Sequence, residues 1–231
     1  MSWISWHQVR SDTLGIYVER SPALPIPQKK IIRYSIPGRN GDVIIDTGAY
    51  ENVTQKYSIY LTESANVTIA AKAVKEWLLY QGESRLVDSF DQDVYRFATY
   101  EGGGEIENVL QRFGRAEIEF NCRPQRYVLQ SLNYTEYTEA FTLTNPTQNN
   151  ARPVIRVNGS GAGTLTVGNN TISLTDCNLY IDSEQQSAFL GTTNKNNAMT
   201  GEFPILPPGE TGISWTGGIT SILIAPRWFN L

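Results

Sequence analysis

A single segment of this chain carries a helical period, and the sequence around it reads as sheet. From Ala65 to Tyr80 the residues Val67, Ala70, Ala71, Val74, Trp77 and Leu78 recur at three- and four-residue spacing. That spacing gathers them into one apolar stripe on an α-helix. Lys72, Lys75 and Glu76 fall off the stripe. Ser64 or Asn66 can cap the start by accepting a hydrogen bond from a free N–H of the first turn. Gly82 follows the end, where a residue without Cβ takes the left-handed cap conformation. A helix is therefore expected over about 65–81. It must lay its stripe on a partner to be stable, and the plentiful partner here is β-sheet.

The rest of the first half alternates or runs in short β-branched and aromatic bursts. Lys30–Ile36 ends in the turn cluster Pro37-Gly-Arg-Asn-Gly41, Asp42–Asp46 is closed by Thr47-Gly48, and Tyr57–Leu61 leads into the helix. Ser84–Val87, Tyr95–Tyr100 and Arg115–Cys122 follow. In the last of these, Ala116, Ile118, Phe120 and Cys122 share one face of a strand while Glu117 and Glu119 share the other. About 125 residues thus describe an antiparallel sheet system with one helix packed on it, an α+β unit.

The stretch from Ser131 to Asn150 is rich in Thr, Asn, Tyr and Glu and lacks a long apolar run, so it is read as the place of a domain boundary. Two domains are expected, 1–135 and 136–231. The second shows no helical period. Short strands at Pro153–Val157, Thr164–Val167, Thr171–Leu174, Asn178–Asp182 and Ile219–Ile224 alternate with polar turns, the pattern of a β-sandwich. Gly159-Ser-Gly-Ala-Gly163 is read as one of those turns, because it lacks the spacing of a dinucleotide fingerprint and opens no helix.

Catalytic chemistry finds little support. Asp88, Asp91 and Asp93 lack the central glycine and distal glutamate of a calcium loop, and are read as a solvated turn. Glu117 and Glu119 are paired carboxylates, but the wet face of a strand explains them. His7 is the one histidine of the chain, which leaves no histidine-based triad near a nucleophile. With it and two cysteines, Cys122 and Cys177, a structural zinc site is excluded. No cofactor or metal is expected and no enzyme activity. The two cysteines are read as buried thiols of a protein made in a reducing cytosol. The N-terminus shows no basic leader and no apolar h-region, and no apolar run approaches the ~20 residues of a membrane span. A net charge of −4 with scattered lysines and arginines argues against grip on nucleic acid, which needs clustered basic residues. Twelve tyrosines and five tryptophans leave room for a sugar-stacking platform. The alternative for Trp77, Trp215 and Trp228 is packing in the core.

An ordered series of short motifs carries a resemblance. Pro37-Gly38-Arg-Asn-Gly41-Asp, Thr47-Gly48-Ala-Tyr-Glu-Asn52, the helix around Trp77-Leu78, Phe113-Gly-Arg-Ala116 and Cys122-Arg-Pro124 occur in the first half. Asn145-Pro146, Arg152-Pro153, Asn158-Gly-Ser-Gly161, Ile181-Asp182, Gly201-Glu-Phe-Pro204, Pro208-Gly209-Glu210, Ile213-Ser-Trp215 and Pro226-Arg-Trp228 occur in the second. In this order they resemble the distal tail (Dit) family of siphophages and related prophages, over almost the whole chain. The resemblance implies a structural virion protein of the phage tail baseplate. Its N-terminal domains would form a hexameric ring joining the tail tube protein to the tail-associated tip protein. The tape-measure protein would pass through the channel, and a galectin-like C-terminal sandwich would face outward toward receptor-binding parts. Pro37, Gly38, Gly41, Gly48 and Gly209 are then signature turns and Trp77 the helix core. Location in the virion tail, after assembly in the bacterial cytoplasm, follows from the same resemblance. A glycan-binding, lectin-like adhesion module is the competing reading.

Overall fold

The computed structural model describes residues 1–62, 66–79, 82–102 and 106–231. Ser64, Ala65 and Tyr80, at the two ends of the expected helix, lie outside them. Contacts divide the chain into two compact units, Met1–Arg126 together with Leu231, and Tyr127–Asn230. That division falls earlier than the 135/136 read from sequence. The reason is local. The Val128 N–H donates to the Trp228 carbonyl at 2.8 Å, and the Arg227 N–H donates to the Ser131 carbonyl at 3.0 Å. The residues just after 126 are thereby tied to the end of the second unit.

The first unit is built from β1 (Ile4–Trp6), β2 (Val9–Arg10), β3 (Ile16–Val18), β4 (Lys29–Tyr34), β5 (Val43–Tyr50), β6 (Val53–Leu61), α1 (Val67–Leu78), β7 (Ser84–Asp88), β8 (Asp91–Tyr100), α2 (Ile106–Phe113) and β9 (Arg115–Cys122). Seven of the strands form an antiparallel sheet in the order β2-β1-β7-β8-β9-β6-β3. The longest pairing, β6 with β9, runs from Val53 opposite Cys122 to Tyr60 opposite Arg115. Side chains alternate across it, as the pleat demands. Tyr57, Ile59, Ile118, Phe120 and Cys122 are buried, while Lys56, Glu117 and Glu119 are exposed.

Helix α1 lays the expected stripe on the buried face from Ala70 onward, where Ala71, Val74, Trp77 and Leu78 join Trp6, Ile59 and Phe120 in one core; Val67, in the first turn, is exposed instead. The Asn66 side chain caps it, accepting from the Ile69 N–H at 3.3 Å. The Trp77 indole N–H donates to the Trp6 carbonyl at 3.1 Å, and the two indoles meet edge to face at 6.2 Å. Trp77 thus contributes both apolar area and a satisfied polar tip. The expectation of one helix needs correction. A second, α2, packs against α1 and buries Leu110 completely. Its eight residues give too short a repeat for a period to stand out, and Gly102-Gly-Gly104 before it reads as loop.

The second unit begins within β10 (Arg126–Val128), which pairs with the terminal β20 (Phe229–Asn230). Its remaining strands are β11 (Thr135–Tyr137), β12 (Phe141–Asn145), β13 (Val154–Val167), β14 (Asn170–Leu174), β15 (Leu179–Asp182), β16 (Ser187–Leu190), β17 (Thr193–Asn194), β18 (Met199–Thr200) and β19 (Gly209–Ala225). Two long strands, β13 and β19, pair along most of their length and serve both layers of a sandwich. The first part of β13 and the last part of β19 lie in a layer ordered β11-β19-β13-β15-β16-β17. Their other parts pair with β14 and β12, and β18 adds to β14. Ile155, Ile181 and Ile224 from one layer share a core with Leu165, Ile172 and Ile213 from the other.

The crease between the layers corrects a second expectation. Gly159–Gly163 is not a turn between two strands; it lies inside the single strand β13. Pairing slips there, with Gly159 opposite Ile219 and Gly163 opposite Gly217, so β13 carries extra residues in a β-bulge that bends both strands. The bend brings backbone onto backbone. A Cβ at Gly159 would sit 2.1 Å from the Gly218 carbonyl oxygen, and one at Gly218 would sit 1.8 Å from that of Ser160.

Candidate functional site, an exposed apolar hairpin

Among the described residues, strands β4 and β5 pair only with each other and form a sheet of their own. The segment leading into them carries Pro22, Pro25 and Pro27, which stiffen it by fixing φ. It is held at its root by three bonds. The Glu19 N–H donates to the Ser58 carbonyl and the Glu51 N–H to the Gln28 carbonyl, both at 2.8 Å. The Gln55 side-chain amide donates to the Ala23 carbonyl at 2.9 Å.

The hairpin tip holds Pro37, Gly38 and Gly41. The Arg39 N–H closes a turn onto the Ile36 carbonyl at 3.1 Å, and Gly38 and Gly41 have φ near +80°, where a side chain is strained. Gly48, at φ +71°, sits in β5 near the register shift between Lys29 and Ile31, and its N–H donates to Asp46 at 2.9 Å. Four of the five signature turn residues therefore gather in one hairpin. Gly209, the fifth, opens β19 in the second unit opposite Asn145.

The register assigns the faces. Tyr34 pairs with Val43 and Ile32 with Ile45, while Arg33 pairs with Ile44 and Ile31 with Asp46. One face is apolar at these two pairs, with Lys30 following toward the root, and the other mixes isoleucine with charge. Lys29 reaches Asp46 at 2.8 Å, which lowers the Asp46 pKa and raises that of Lys29. Ile32, Tyr34 and Ile45 are 45 %, 53 % and 47 % exposed, with Ile31, Ile36 and Ile44 also exposed. An isolated two-stranded ribbon is marginal in water, and contiguous exposed apolar surface marks a site of association. The sequence reading recognised both strands and missed their exposure, since an Ile-rich alternation looks the same on a core strand and on an arm.

The other candidates scatter. Asp88 accepts from the Phe90 and Asp91 N–H groups at 2.9 and 3.0 Å, forming the tight turn between β7 and β8, and Arg126 pairs with Asp91. Glu117 and Glu119 both face Lys56 across the β6–β9 pair. His7 lies in the β1–β2 turn at φ +50°. Among the described residues no group of His, Cys, Asp and Glu is arranged to hold a metal ion, and no helix is long and apolar enough to cross a membrane. Trp77 and Trp228 are buried, and Trp215 packs against the second core. On the outer face of the second unit, Tyr180 lies between the Arg156 guanidinium, 4.9 Å from its ring, and Phe189, stacked at 5.4 Å. Its ring is occupied by its own neighbours.

No protein-family model matches the chain, and no curated protein matches it. Among solved structures the fold matches that of SPP1 Dit (gp 19.1), described as a paradigm of the hub adsorption apparatus in phages that infect Gram-positive bacteria. The TM-score is 0.71 at 12 % sequence identity, and the match covers 97 % of each chain. From the first strand to the last, this chain has the fold of a Dit hub protein.

Proposed function

We propose that this chain is a structural component of a phage tail, a distal tail protein that assembles into a hexameric ring at the baseplate. The observation that carries the reading is the exposed apolar hairpin on a chain with a Dit fold. A closed ring needs a head-to-tail contact in which one patch of each copy meets a different patch of the next. The face of Ile32, Tyr34, Val43 and Ile45 supplies one such patch, on a projecting arm able to reach a neighbouring copy. The ring would join the tail tube protein to the tip protein, pass the tape-measure protein through its channel, and offer the second unit to receptor-binding parts. It has no cofactor and no turnover. Stacking of Tyr180 between Arg156 and Phe189 leaves little free ring for a sugar and weighs against a lectin.

Mass photometry and negative-stain images of the full chain test the assembly. Rings of six times the 25.8-kDa chain mass are expected. The double variant Ile32→Asp/Ile45→Asp should stay folded and become monomeric, since it buries two unpaired charges in the contact. A monomeric wild-type protein at tens of micromolar, or a double variant that still closes rings, would overturn the proposal.

A further inference from the structure

Arg96 of β8 stands opposite Leu86 of β7 with its side chain in the interior of the first unit, 6 % exposed. Its Nη1 is fully buried, and no protein group within hydrogen-bond distance accepts from it. An arginine keeps its proton in a protein, so the charge stays and needs an acceptor. Burial accordingly pulls its pKa down.

Arg96 lines a partly open pocket of about 20 Å³, with Tyr57, Asp88, Arg126, Gln55 and Leu24 also on its wall. Most polar neighbours are already engaged. Gln55 is turned to the Ala23 carbonyl, Arg126 is paired with Asp91, and the Tyr57 hydroxyl donates to Asp88 Oδ2 at 3.1 Å. A carboxylate oxygen accepts more than one bond, so Asp88 retains capacity. Two arginines and two aspartates line this space. An added anion would meet the carboxylates and an added cation the guanidiniums, while an occupant that both accepts and donates meets neither penalty. About 10–15 Å³ and two to four polar partners suffice for one water.

We propose that this cavity is a specific site for one ordered water, which accepts from Arg96 Nη1 and donates to the Asp88 carboxylate. The water links the buried Arg96 guanidinium to the half-buried Asp88 carboxylate. Leu24 on the cavity wall and Ala23 on Gln55 belong to the proline segment that enters the hairpin, so the bridge also forms the floor on which that segment rests. The inference concerns the isolated chain and stands whether or not rings form.

A high-resolution crystal structure of the full chain, with a parallel bromide soak, tests it. One peak within hydrogen-bond distance of both Arg96 Nη1 and Asp88, with no anomalous signal, is expected. An anomalous bromide peak there would make the site an anion site and overturn the proposal. So would an empty cavity, or an Arg96 side chain turned to bond Asp88 directly. In Arg96→Met the same peak should vanish; its persistence would show that Arg96 does not hold it.

Discussion

Gly218→Ala should cripple the second unit, and the same change six residues earlier in the same strand should not. An alanine Cβ at 218 would lie 1.8 Å from the Ser160 carbonyl oxygen and 3.1 Å from that of Ala162. Real Cβ atoms essentially never approach closer than 3.0 Å, so the two long strands must separate by roughly 1 Å at the crease, and the obstacles are backbone atoms that no rotamer change can move. Overpacking of this kind costs about 1–3 kcal/mol or more, and the restricted unfolded chain returns only about 0.4–1 kcal/mol. A net loss of about 1–2 kcal/mol lowers the melting temperature of a ~100-residue unit by about 5–15 °C. Gly212 has nothing within 4 Å of its Cβ position and no positive φ, so Gly212→Ala should be neutral or slightly stabilising. Calorimetry on the full chain measures both. Melting of Gly218→Ala within about 2 °C of Gly212→Ala would refute the close approach as the reason for glycine there.

Trp77→Ala should destabilise the first unit by about 3–5 kcal/mol in urea unfolding, the cost of removing a buried tryptophan; an unchanged midpoint would contradict its place in the core. Trp77→Phe should lose less, keeping ring packing while leaving the Trp6 carbonyl without its indole donor. Burial pushes the Cys122 thiol up to about 12, against about 8.5 for a free thiol. Its contribution is therefore fully present below about pH 8.5 and is lost as pH rises toward 12, because the unfolded state ionises first. Tyr57, raised well above its ordinary value by burial, adds to the loss at the alkaline end. Between about pH 8.5 and 10 the decline should flatten in Cys122→Ala, and an identical slope in the variant would remove the thiol from the account.

Much of this architecture is legible in the sequence because each element repeats its period long enough to be seen. The stripe from Val67 to Leu78 spans three turns, and Asn66 supplies the cap. The alternation of Ala116, Ile118, Phe120 and Cys122 against Glu117 and Glu119 reappears as the two faces of β9. The failures have a common physical origin, which is that one local signal serves two structures. Gly159-Ser-Gly-Ala-Gly163 has the composition of a turn. Glycine is also what a folded-over sheet needs where backbone meets backbone, and only the partner strand, with Gly217 and Gly218 more than fifty residues away in sequence, distinguishes the two. Helix α2 fails for a related reason, since eight residues after a glycine run are too few for a helical period to stand out.

The hairpin is the most instructive of these ambiguities. Ile31, Ile32, Ile44 and Ile45 look locally like a strand inside a core: β-branched, in short apolar runs, and bounded by glycine turns. Yet they end up in water on a ribbon that no other strand of the unit pairs. Ordinary folding pressure would place charge on both faces of such an arm. In the outer part of the arm charge stands on one face, where Arg33 and Asp46 alternate with isoleucine, and the other is apolar from Tyr34 and Val43 to Ile32 and Ile45. A sequence that obeys the rules for burial at positions its own fold leaves bare is what the proposed ring contact would account for. The same four side chains that make β4 and β5 easy to find are thus the strongest structural argument that the chain does not act alone.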